Sequence, residues 1–103
     1  MHYSLQQCEA RMEELDRALM DPSVLGNTKR LMELTKERAH LEPMVETWRS
    51  LERTREEIQD AKDMLSDPEM REMAEMELEE LKENEVRLAQ QLRLALIPPD
   101  PFE

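Results

Sequence analysis

The chain has 103 residues, 38% of them charged and 3% aromatic, with one glycine and a net charge of −11. That allows one small domain at most and nearly excludes a glycine-built phosphate loop. The 14 Lys and Arg are scattered rather than clustered, so the acidic surface argues against direct nucleic-acid binding and for a partner with a basic face. Cys8 is the single cysteine, so no internal disulfide can form. No apolar run approaches the roughly 18 residues needed to span a membrane. The start, MHYSLQQCEARMEEL, has the features of neither a signal nor a transit peptide. These features describe a cytoplasmic chain with no membrane contact.

The first element is a helix over 4–20. Leu5, Cys8, Met12, Leu15 and Leu19 step by three and four and so share one face. Ser4 is the candidate cap, and Asp21-Pro22 stops the helix because the residue before proline avoids the helical region. The connection 22–27 contains the only glycine, after which Asn27 or Thr28 restarts the helix. From there an apolar stripe reads Leu31, Leu34, Arg38, Leu41, Val45, Trp48, Leu51, Arg55, Ile58, Ala61 or Lys62, and Leu65. It predicts a rod over 28–66, kinked or divided near Pro43, where proline removes a hydrogen bond.

Ser66-Asp67-Pro68 turns the chain, with Asp67 able to cap and Pro68 suited to the first helical position. The last helix is expected over 68–97. Its stripe is Met70, Met73 or Ala74, Glu77 or Leu78, Leu81, Glu85, Leu88, Leu92 and Ala95 or Leu96, and Pro98-Pro99 stop it. Helices joined by short turns pack as antiparallel neighbours. The expected fold is therefore all-α, an antiparallel coiled-coil-like bundle of three to four helices with a long helical hairpin. Residues 1–97 form the helical domain and 98–103 begin a linker.

No constellation here carries chemistry. His40 has no second His or Cys at ligand spacing and reads as a solvated helix histidine. Glu79-Glu80 read as a solvated charge run, Cys8 as a small core hydrophobe, and Trp48 as a core anchor between Val45 and Leu51. No catalytic, cofactor-binding or metal-binding residue is expected, and no enzyme activity. Met64, Met70, Met73 and Met76 gather near the hairpin tip, as packing filler or as an adaptable contact surface. The candidate contact residues are Asp63, Met64, Asp67, Pro68, Glu69, Met70 and Met73, an acidic rim on a soft apolar patch.

Two segments carry a family resemblance. Asp67-Pro68-Glu69-Met70-Arg71-Glu72-Met73-Ala74, continuing Glu77-Leu78-Glu79-Glu80-Leu81, resembles the N-terminal domain of bacterial class-I peptide chain release factors. The ending Leu96-Ile97-Pro98-Pro99-Asp100-Pro101 is similar to that family's helix end and Pro-x-Asp-Pro. The resemblance covers roughly 28–103 and favours the branch that reads UAA and UAG. It implies a ribosome-docking arm of a translation termination factor, one that meets the large-subunit stalk base through a basic ribosomal protein. It also implies downstream domains in the same chain and a monomer. The family's catalytic Gly-Gly-Gln and codon-reading Pro-x-Thr do not occur in this sequence, so no catalytic residue carries over. The alternative is an autonomous coiled-coil adaptor or oligomerisation module, which would leave an apolar stripe free for self-association.

Overall fold

The computed structural model describes residues 4–95. It contains α1 (Leu5–Ala18), α2 (Pro22–Leu25), α3 (Thr28–Met64) and α4 (Arg71–Ala95), with no strand among the described residues. The all-α class with a helical hairpin is what the periodicity predicts. The chain divides into two compact units, Met1–Glu46 and Thr47–Glu103, and α3 contributes to both.

In the first unit, Ser4 starts α1 through a capping box. Its hydroxyl accepts from the Gln7 N–H at 3.1 Å while its own N–H donates to Gln7 Oε1 at 2.9 Å. Extended backbone at Asp21 presents its carboxylate to the Ser23 N–H, and Pro22 opens a one-turn helix inside the segment expected to be a plain connection. Gly26, which ends that turn, has no positive φ. A Cβ there would lie 3.3 Å from the Pro22 carbonyl oxygen, a tight approach that favours the missing side chain. Asn27 then caps α3 by accepting from the Arg30 N–H at 3.1 Å.

Cys8, Met12 and Leu15 pack with Leu34, Leu41 and Val45, and Ala18, Leu19, Val24 and Met44 close the edges of this core. Burying one such leucine contributes about 1.5–3 kcal/mol. Ion pairs flank the core. Arg11 grips Glu37 through Nε at 2.5 Å and a second nitrogen at 2.8 Å, and Arg38 joins Asp16 to Glu42. The stripe position expected for Arg38 is thus half-buried, with its charge led out to carboxylates.

The structure departs from the expected break at Pro43. α3 runs as one helix from Thr28 to Met64 with Pro43 inside it. Proline deprives the Ala39 carbonyl of its helical donor, but Ala39 and Pro43 both face solvent, where water replaces the lost bond. Leu41 and Val45 on the opposite face remain buried.

In the second unit, the 47–64 part of α3 pairs with α4. Ile58 and Ala61 cluster with Leu78 and Leu81, with Leu65 packed against them. With Thr54, earlier on α3, bonded to Asn84, later on α4, the pairing is antiparallel and brings Ile58 about level with Leu81 and Ala61 with Leu78. The sequence places Arg55 on the buried stripe; the structure buries its neighbour Thr54 instead, 5% exposed, and leaves Arg55 outside. A hydroxyl is far easier to desolvate than a guanidinium. Thr54 Oγ1 donates to the Ser50 carbonyl at 2.9 Å and accepts from Asn84 Nδ2 at 3.3 Å. Arg55 reaches Glu85 at 3.3 Å beside this polar layer. Trp48 is only half-buried, and its indole N–H is enclosed without an acceptor among the described residues.

The helix bounds also differ at the turns. α1 ends at Ala18 and α3 at Met64, each two residues short of expectation, while α4 starts at Arg71 rather than Pro68. The expected helix end near 97, the Pro98-Pro99 stop, the linker 98–103 and His2 lie outside the described residues.

Leu15→Ala and Leu51→Ala should each lower unfolding stability by about 2–5 kcal/mol through cavity formation, whereas Glu79→Ala should stay within about 0.5 kcal/mol, as read from urea midpoints. The hydrogen bond from Arg11 holds the Glu37 carboxyl below its ordinary 4.5. A carboxyl with a lower pKa folded than unfolded stabilises above its unfolded value, and that contribution is lost as pH falls through the folded value. Stability should therefore decline below about pH 4.5, and Glu37→Gln should flatten that part of the decline in denaturation measured from about pH 6 to about pH 3.

Candidate functional site

The hairpin tip is built by backbone chemistry local to residues 62–74. α3 stops as its last turn tightens, with the Leu65 N–H donating to the Lys62 carbonyl at 3.2 Å and that of Asp67 to Met64 at 3.1 Å. Ser66 Oγ donates to the Asp63 carbonyl at 3.1 Å, and Asp67 Oδ1 accepts from the Glu69 N–H at 3.0 Å. The Met70 N–H returns to the Asp67 carbonyl at 3.1 Å, closing a turn before α4 begins. This turn occupies Pro68 and Glu69, which is why the helix starts after them. Asp67 acts as the turn's acceptor two residues ahead of its donor rather than as the helix cap itself.

Asp63 and Met64 therefore stand on the last turn of α3, Asp67, Pro68 and Glu69 form the exposed connection, and Met73 projects from the first turn of α4. Met70 differs from the rest. It lies four residues before the buried Ala74, on the inward stripe, and is half-buried. Met64, Met73 and Met76 are 42%, 62% and 67% exposed. Met76 belongs with the exposed group although the expected contact set left it out; its position off the Ala74–Leu78–Leu81 line was the available signal.

Charge is distributed unevenly along this hairpin. Residues 58–81 carry nine Asp and Glu against Lys62 and Arg71, a net of −7. Residues 47–57 and 82–95 carry six Lys and Arg against five Glu, a net of +1. At the tip, Arg71 is engaged with Glu75 at 3.4 Å. The acidic half is the half that carries the exposed methionines.

A depression of about 440 Å³ along α3 is lined by Arg49, Glu52, Arg53 and Glu56 and lies open on one helix face. Cys8 is buried, and loss of solvation raises its thiol pKa, which opposes thiolate formation. Among the described residues no group of three or more His, Cys, Asp or Glu could hold a metal ion, and no helix is long and apolar enough to cross a membrane. His40, Glu79 and Glu80 are exposed.

The hairpin thus presents an acidic tip with exposed methionines. The family model for the PCRF domain matches residues 8–103, and the chain belongs to that family. It is 39% identical over 101 residues to Peptide chain release factor 1 of Geobacter sulfurreducens, covering 98% of this chain and 28% of that protein. It is 43% identical over 104 residues to Peptide chain release factor 1 of Enterococcus faecalis, covering 98% and 29%. The namesake protein of Geobacillus kaustophilus is 42% identical over 100 residues, covering 94% and 28%. The chain thus spans little more than a quarter of the length of these relatives. No solved structure matches it.

Asp67→Ala should cost about 0.5–1.5 kcal/mol by removing the acceptor for the Glu69 N–H. Asp67→Asn, which keeps a side-chain oxygen, should retain most of that stability in thermal melts.

Proposed function

We propose that this chain is the helical N-terminal domain of a bacterial peptide chain release factor, of the branch directing termination at UAA and UAG. In this role it is a ribosome-docking arm that leaves peptidyl-tRNA hydrolysis and codon reading to domains downstream. The observation that carries the proposal is 39–43% identity to Peptide chain release factor 1 over nearly all of this chain, against little more than a quarter of each relative. The absence of Gly-Gly-Gln and Pro-x-Thr from the sequence supports the division of labour.

The hairpin suits the task. The 25 residues of α4 extend about 37 Å at 1.5 Å per residue, so the tip reaches well beyond the point where the chain continues past α4. Asp63, Met64, Asp67, Pro68, Glu69 and Met73 are the proposed contact set; Met70, turned into the seam, is left out of it. Negative charge there speeds encounter with a basic ribosomal protein at the large-subunit stalk base, and methionine side chains adapt to its shape. The arm works as a cytoplasmic monomer, its apolar stripes satisfied within the chain.

Fluorescently labelled chain titrated with bacterial 70S ribosomes across a salt series tests this. Association should be measurable at low salt and weaken as salt rises, and Asp67→Lys with Glu69→Lys should slow it. An unchanged association rate for that variant at low salt would move the contact away from the turn. Peptide release by this chain alone on programmed ribosomes would overturn the division of labour.

A further inference from the structure

We propose that one side of the α3–α4 hairpin, carrying Met64, Met73 and Met76 among Asp60, Glu77 and Glu80, is the docking face, and that it receives a cationic protein surface with an apolar centre. The inference rests on the docking-arm function and refines it from the tip as a whole to one flank.

The sidedness follows from register. Ile58, Ala61 and Leu65 mark the inward line of α3, and Ala74, Leu78 and Leu81 mark that of α4. In an antiparallel pair, reversing one helix mirrors its sense of rotation, so residues just before the inward positions on both helices point to the same side. Those residues are Glu57, Asp60 and Met64 on α3 and Met73, Glu77 and Glu80 on α4, and all six are exposed. Met76 follows Met73 by three residues and extends the apolar patch onto the outer surface of α4. None of these positions holds Lys or Arg. Lys62 and Lys82 each come just after an inward residue, Ala61 and Leu81, and so stand on the opposite side, where Arg71 also turns to Glu75.

The chemistry of this face selects its occupant. Three exposed methionines, two on this side and one beside it, favour burial against a partner, and thioether side chains conform to an irregular surface. A ring of carboxylates without local cations repels a second copy of the same face and repels a phosphate backbone. It attracts Lys and Arg disposed around an apolar centre.

Three double variants of the full 103-residue chain, titrated with bacterial 70S ribosomes, test the proposal. Glu77→Lys with Glu80→Lys alters the proposed face, and Glu75→Lys with Glu79→Lys makes the same charge change on the same helix but on the other side. Met73→Gln with Met76→Gln removes apolar surface at constant charge. The first pair should weaken binding about tenfold and flatten its salt dependence, while the second should change it less than about twofold. The methionine pair should weaken binding with the salt dependence unchanged, and circular dichroism should show native helix content in all three. Equal losses from the two charge variants, or none from the methionine variant, would overturn the one-sided face while leaving the docking arm standing. No binding by the unaltered chain would overturn both.

Discussion

The structure depends on the continuity of α3. One helix of 37 residues supplies a wall to each of two separate cores: Leu34, Leu41 and Val45 to the first, Ile58 and Ala61 to the second. Neither α1 nor α4 has a buried stripe without it. Pro43 lies within that helix, and the solvent-facing position of Ala39 and Pro43 leaves the freed carbonyl open to water.

The two cores are finished differently. The first is closed at its edges by Arg11 with Glu37 and by Arg38 with Asp16 and Glu42, partly exposed pairs whose value lies in orientation more than in energy. The second is interrupted by a polar layer, Thr54 with Asn84 beside Arg55 with Glu85. A satisfied polar layer in a two-helix seam contributes little net stability, but it penalises any sliding of one helix along the other, because a slip would bury these groups unpaired. Register matters here because it fixes which residues beyond the seam share a side, Met64 on α3 with Met73 on α4 among them.

Membership of the PCRF domain family gives this geometry a setting. The depression along α3, lined by Arg49, Glu52, Arg53 and Glu56, lies open on one helix face. The charge imbalance between the two halves of the hairpin places most of its net negative charge near the tip, beside the exposed Met64, Met73 and Met76.

Much of this was determined by the sequence alone. The all-helical class, the cap at Ser4, the restart at Asn27 or Thr28 and the buried line Cys8–Met12–Leu15 follow from local periodicity and capping chemistry, which act within a few residues and are written in the order of the side chains. The release-factor resemblance lies likewise in contiguous runs, Asp67–Leu81 and Leu96–Pro101. Other features needed the tertiary structure. Thr54 and Arg55 both border the stripe, and only the presence of Asn84 and Glu85 opposite decides which is buried. Pro43 breaks or continues a helix according to which face it occupies, and that depends on what packs against Leu41 and Val45. The stripe leaves Met73 and Ala74 as alternatives; the seam takes Ala74 with Met70 inward and leaves Met64, Met73 and Met76 outside. These outcomes depend on contacts between residues far apart in the chain, and periodicity within one helix carries no information about the register of its neighbour.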